Sequence, residues 1–490
     1  MIERASEAVE PVRRLWHDPS VFQRTYERSA AAALAVARAL ARDPTSIPGT
    51  DGFLALHDGL SRRDPAVLGA VWSDPWAYLW ARIAHETLAA IARGAPLPRS
   101  AAGVAGAIGS EAPREVLAAH LREFARLAIG AAVIEGSDLE GLPPLEVRLP
   151  MAIPGTRQSL VADAPDEGAS GPPVTIVGVA AGRPRLGSGT ARLVDCPAAR
   201  AGEITVALQP HLHRQPGVAD APPAGRRTLA WQAERVPVLE RGLALVARHQ
   251  PATLAALGRF LRSVAFNPMD EMGEQNFVSN SMLRGAFALL EIQCPWVTAS
   301  ICIHEFHHNR FFCVEEIDGV LEADALGTWD DAIYYSPWRE EPRPLRGILH
   351  GLYVYVPEGR FWLACARDPE TPADGRRLAR DRVVRTRLAM DLALAQLEGF
   401  GRFTPRGKEL FGALAADARA LSAELRAAVP GDVPGCYIEE DGRIAEKRSE
   451  VDGRVLSSRA AVAEHLERFS PRGRVAWDGL PDLAALDAAR

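Results

Sequence analysis

Trp296–Leu321 reads WVTASICIHEFHHNRFFCVEEIDGVL. It has neither Pro nor Gly before Gly319, which predicts one long helix. Thr298 is the candidate N-cap, and Gly319 is a natural stop. Inside it, His304-Glu305-Phe306-His307-His308 matches H-E-x-x-H. Residues four apart share a helix face, so His304 and His308 can hold one transition-metal ion together. Glu305 sits where it could act as a base on metal-bound water. His307 falls off that face and is left out of the ligand set. A bare H-E-x-x-H also arises by chance: His85-Glu86 begins one that fails at Ala89. The plainer reading is a set of core histidines without metal.

A catalytic metal usually takes three protein ligands and keeps open positions. The candidates for the third are His350, Glu315, Glu316, Glu322 and Asp324. Glu315 shares a face with His308, but about 10 Å of helix rise separates them, too far to share an ion with His304. Glu322 and Asp324 lie past Gly319, where the chain can turn back. His350, in Gly347-Ile-Leu-His350-Gly351, is the preferred ligand; a satisfied core histidine or a substrate contact are the other readings.

Just upstream runs Tyr334-Tyr-Ser-Pro-Trp-Arg339-Glu-Glu-Pro-Arg343-Pro-Leu-Arg346. Prolines restrict its backbone, and guanidinium groups pair bidentately with carboxylates. Arg339, Arg343 and Arg346 therefore suit an anionic substrate or co-substrate beside the metal, such as a 2-oxo acid. Any one of them could instead pair with Glu340 or Glu341.

H-E-F-H-H followed by Y-Y-S-P-W-R-E-E-P-R-P-L-R-G-I-L-H-G resembles the HExxH-motif-containing peptide-modification proteins associated with ribosomally made, post-translationally modified peptides. The resemblance is strong over 265–365 and elsewhere extends only to general helical character. It implies an iron(II)- and 2-oxoglutarate-dependent oxygenase that hydroxylates a side chain of a precursor peptide, at the β-carbon. It implies His304 and His308 as ligands, with His350 as the third and Arg339, Arg343 and Arg346 as the pool for the 2-oxoglutarate carboxylate. A zinc metallopeptidase of the zincin type, with Glu305 as general base, is the alternative. No glutamate is spaced like the usual third zincin ligand.

Around this centre the chain reads as predominantly α (α+β). Residues 1–135 are helical, with Ala-rich amphipathic runs. A strand-rich section occupies 136–240, with β-branched runs broken by Pro and Gly. A helical metal-binding region covers 241–430: two helices meet near Pro251, SMLRGAFALLEI forms a short helix, LRGILHGLYVYV forms another, and long helices span 374–399 and 405–428. An α+β appendage with a Ser-capped helix fills 431–490. His211 and His213 read as a structural pair.

The bulk figures exclude some classes. The 490 residues carry 56 basic and 62 acidic side chains, a net −6, without the basic excess of a general nucleic-acid binder. No apolar run is long enough to span a membrane, and the N-terminus lacks a signal-like apolar core. Six scattered cysteines with no C-x-x-C predict buried thiols in a reducing cytoplasm. Oligomeric state is open, a homodimer included.

Overall fold

The computed structural model describes residues 20–43, 46–147, 149–162, 173–209, 228–267, 279, 281–291, 294–322, 333–439, 441–449 and 452–470. His211, His213 and Asp324 lie outside them. The fold is predominantly helical with several small sheets. The chain divides into two compact units. One comprises Phe22–Pro237 and Gly258–Glu291; the other comprises Met1–Val21, Val238–Leu257 and Ile292–Arg490.

The first unit begins with helices α1 (Ser20–Arg42), α2 (Thr50–Ser61), α3 (Pro65–Trp72), α4 (Pro75–Arg93), α5 (Ala102–Ile108), α6 (Pro113–Arg122) and α7 (Ala125–Glu135). Asp64 and Asp74 cap α3 and α4 through their carboxylates, each followed by Pro at the first helical position. Phe53, Trp80 and Phe124 form an edge-packed aromatic cluster at the centre of the helical core.

Strands β1 (Leu145–Val147), β2 (Met151–Ala152), β3 (Gln158–Ala162), β4 (Val174–Ala180), β5 (Arg183–Ser188), β6 (Ala191–Asp195), β7 (Ala198–Ala201) and β8 (Ile204–Leu208) follow. They form two antiparallel three-stranded sheets, ordered β1-β4-β5 and β2-β3-β6, while β7 and β8 pair antiparallel. Short helix α8 (Leu229–Ala233) leads to α9 (Val236–His249) and α10 (Pro251–Phe260), which meet at Pro251 as expected.

One element differs from expectation. SMLRGAFALLEI contains a strand, β10 (Ala286–Leu290), not a helix. It pairs in parallel with β9 (Ser263–Asn267), which in turn runs parallel to β8. Every residue of β9 and β10 is buried, so neither shows the two-residue alternation that marks a half-exposed strand.

The second unit is built around α11 (Pro295–Asp318), α12 (Leu345–Arg367), α13 (Ala373–Phe400) and α14 (Pro405–Ala428), with β11 (Cys436–Ile438) pairing antiparallel to β12 (Ile444–Glu446) and a last helix α15 (Ser458–Phe469). Helix α11 starts three residues before the expected cap. Pro295 takes the first helical position, and Thr298 lies inside, its hydroxyl donating to the Cys294 carbonyl. Gly319 ends the helix at φ 59°, a left-handed conformation that favours Gly. Ser457 caps α15 as expected. All six cysteines are buried and unbridged. No described helix is long and apolar enough to cross a membrane.

Candidate metal centre

Helices α11 and α12 run antiparallel, and the order of their cross-contacts shows it. Going up α11, His304 meets Glu358, His308 meets His350, and Glu315 meets both His350 and Arg346. The predicted pair is therefore assembled: His304 Nε2 and His308 Nε2 lie 3.1 Å apart. Both rings are partly buried, at the face of α11 that packs on α12.

Each ring is held from behind. His304 Nδ1 donates to Glu358 Oε2 at 3.0 Å. Glu358 Oε1 also accepts from Ser300 Oγ at 2.6 Å and from Trp362 Nε1 at 3.2 Å. Burial opposes charge on both partners. The ion-pairing hydrogen bond outweighs it, raising the His304 pKa and holding that of Glu358 below the ordinary carboxylate value. His308 is the opposite case. Burial, then the neighbouring His304 and His350 and the charges of Arg343 and Arg339, drive its pKa well below the usual 6.5, so it is neutral at pH 7.

His350 lies beyond His308. Its Nδ1 is 3.3 Å from His308 Nδ1, and its Nε2 donates to Glu315 Oε2 at 2.9 Å. Glu315 also receives a fork from Arg346, with Nε at 3.0 Å and Nη2 at 2.6 Å. Burial pushes Glu315 up, but His350 and Arg346 hold its pKa at about 2. His308 thus turns one nitrogen to His304 and the other to His350. The three rings form a row and do not converge. Among the described residues no three His, Cys, Asp or Glu side chains are placed to hold one ion.

The row has a proton deficit. Four contacts join Glu358, His304, His308, His350 and Glu315. The two carboxylates require N–H on His304 Nδ1 and His350 Nε2. Three neutral imidazoles carry three N–H groups, so a single N–H remains for two N···N contacts. One contact must otherwise face lone pair to lone pair, unless a ring becomes charged or a cation enters. Charge on His308 is disfavoured by its surroundings, as above, whereas a charged His304, favoured by Glu358, would supply the missing N–H from its Nε2. A divalent cation accepting the lone pairs of His304 Nε2 and His308 Nε2 removes the deficit and leaves His308 Nδ1–H to donate to His350. The donor set therefore fits a metal, with Glu358 and the His350–Glu315 pair as the groups that orient its ligands.

The other candidates fall elsewhere. His307 Nδ1 donates to the Ile303 carbonyl, within its own helix. Glu316 is exposed. Glu322 pairs with Arg402 at 3.3 Å. Glu305 is 2% exposed, with its charge acting on His304 and on the buried Cys302.

The arginines separate by partner. Arg346 is committed to Glu315. Burial and the Arg339 charge lower the pKa of Arg343 to about 10. Arg339 acts on His304 and His308, and no described carboxylate pairs with it. Arg339 and Arg343 lie on a strap fastened by two backbone hydrogen bonds between Tyr334 and Arg343, at 3.0 and 2.9 Å, while Arg346 is in the first turn of α12. Two glycines of α12 let the strap lie close. A Cβ on Gly351 would stand 1.7 Å from Trp338 Cζ2, and one on Gly347 3.2 Å from Arg343 Cβ. Trp338 then stacks on Tyr355, whose ring packs edge-on against His304.

Glu358 escaped the sequence reading, although it is the only acidic residue of α12. An isolated carboxylate in an apolar helix is the signal that marks it. Neither the protein-family models nor the curated proteins contain a match to this chain.

Proposed function

We propose that this protein is an iron(II)- and 2-oxo-acid-dependent oxygenase that hydroxylates a side chain of a peptide, with His304 and His308 holding the metal. The observation that carries the metal is the pairing of His304 Nε2 and His308 Nε2 at 3.1 Å, with His304 held from behind by Glu358 and His308 by His350, an arrangement that a cation between them would complete. Glu358 fixes the His304 tautomer so that Nε2 offers its lone pair. His350 and Glu315 do the same for His308 in the observed arrangement. For His350 to be the third ligand itself, its ring and that of His308 must turn relative to each other.

The choice of iron rests on the resemblance carried by the motif and the strap, and on the surroundings of Glu305. A general base for zinc-dependent hydrolysis needs access to the attacking water. Glu305 is buried, at 2% exposure. Arg339 is the best placed of the three arginines to take the far carboxylate of the co-substrate, since Arg346 is already paired.

When bound, iron supplies activation of dioxygen. The overall balance is substrate C–H plus 2-oxoglutarate plus O2 giving substrate C–OH, succinate and CO2, with one oxygen atom in each organic product. The chain's own residues orient the two ligands, bind the co-substrate anion and exclude water. Purified protein with iron(II), ascorbate, 2-oxoglutarate and its precursor peptide is expected to release succinate and to add the mass of one oxygen atom to the peptide. Cleavage of the peptide with zinc and no 2-oxoglutarate would replace this reading by the metallopeptidase.

A further inference from the structure

Beside the histidine row lies a cavity of about 280 Å3 within the same unit. Four parts of the chain wall it: the strap at Pro337 and Trp338, α12 at Tyr355 and Glu358, α13 at Arg382 and Arg385, and the C-terminal segment from Lys447 to Phe469. It reaches the candidate centre through Glu358, which holds His304, and Tyr355, which packs on its ring.

Basic residues outnumber acidic ones on its walls. Arg382, Arg385, Lys447, Arg448 and Arg468 line it against Glu340, Glu358 and Glu464. Glu358 already serves His304, Ser300 and Trp362, and Glu464 accepts from Ser449. Arg385 is paired with the buried Asp381, whose Oδ2 lies 3.7 Å away while its Oδ1 accepts from Ser458. Arg382 Nε is a buried donor with no acceptor. Burial and the charge of Arg382 lower the Arg385 pKa. Burial, with Arg385, Lys447 and Arg468 nearby, lowers His465 to about 4, so that ring stays neutral and adds no charge. Two adjacent guanidinium groups on the wall of a small, mostly basic cavity suit an anion that accepts planar, paired hydrogen bonds.

We propose that this cavity binds a carboxylate group, with Arg382 and Arg385 as its recognition residues and Lys447 also on its wall. The carboxylate is that of an acidic side chain of the peptide, since the far carboxylate of the co-substrate is assigned to Arg339. Its use in catalysis rests on the function proposed above; the binding itself does not.

The test is calorimetric titration of the full-length protein in EDTA, so that failure of the metal reading leaves it intact. The probes are succinate, acetyl-Gly-Asp-Gly-amide, acetyl-Gly-Asn-Gly-amide and inorganic phosphate. Binding of the aspartyl peptide and not the asparaginyl one supports the proposal, with Arg382→Gln weakening it about tenfold or more. Binding of succinate alone would give the cavity to the co-substrate and overturn the assignment to a peptide side chain. Lys447→Gln, on a half-exposed wall residue, gives the same answer if Arg382→Gln fails to fold. The proposal is overturned if no carboxylate probe binds, if phosphate binds more tightly than both carboxylates, or if both variants bind like the wild type.

Discussion

Glu358→Gln removes one charge and one acceptor while preserving shape. The carboxylate now takes three donors: His304 Nδ1, Ser300 Oγ and Trp362 Nε1. An amide has a single acceptor oxygen. Turned toward His304, it leaves two buried donors facing an NH2 group, at about 1–3 kcal/mol each. Turned toward Ser300 and Trp362, it satisfies both, so this orientation wins. The NH2 then faces His304 Nδ1, which must become an acceptor and send its proton to Nε2, the nitrogen facing His308. That tautomer cannot bind a metal. Loss of such an orienting carboxylate weakens metal affinity about 10–100-fold, or roughly 1.4–2.8 kcal/mol. Anaerobic competition against a chromophoric chelator measures it for iron(II). Ser300→Ala, which removes one donor from the far oxygen, should change the affinity by less than about threefold. Wild-type affinity in Glu358→Gln, in a variant with wild-type circular dichroism, would refute the reasoning.

Three other perturbations have definite outcomes. Gly351→Ala places a methyl group inside the Trp338 ring and should cost about 1–3 kcal/mol, with a changed near-ultraviolet circular dichroism; an unchanged spectrum and Tm would contradict the close fit of the strap. Arg339→Gln should raise the KM for 2-oxoglutarate at least about tenfold with a smaller effect on kcat, and an unchanged KM would remove it from co-substrate binding. Asp74, buried at the start of α4, accepts from the Trp76 and Gly155 backbones, yet burial raises its pKa from 3.8 to about 6. The folded state therefore holds the proton more tightly than the unfolded chain, and this contribution to stability is present below about pH 4 and lost as pH rises through 6. Relative to Asp74→Asn, the wild type should lose stability across that window by up to about 3 kcal/mol, read from thermal melts; a difference independent of pH would contradict it.

The sequence made some of this legible and hid the rest for physical reasons. The four-residue spacing of His304 and His308 is a local property of one helix, so it could be read directly. The helical reading of LRGILHGLYVYV also holds, and His350 does reach His308. Helix rise correctly separated Glu315 from His304, but Glu315 acts across helices, holding His350 and Arg346, which spacing along one helix cannot reveal. Glu358 lies on the second helix of an antiparallel pair, where register is fixed only by packing. The strand β10 was missed because a strand buried on both faces has the same apolar run as a buried helix. Pro295, not Thr298, sets the start of α11: proline already fits the first helical turn, and Thr298 spends its hydroxyl on the turn behind it.

The account turns on whether His304 and His308 bind metal together. The direct measurement is elemental analysis after anaerobic loading with iron(II) and desalting, on the wild type and on the His304→Ala/His308→Ala double variant. The account predicts one iron per wild-type chain and none in the double variant, with His350→Ala retaining the metal at reduced affinity. A wild type that keeps no iron, or a double variant that keeps as much as the wild type, would contradict it.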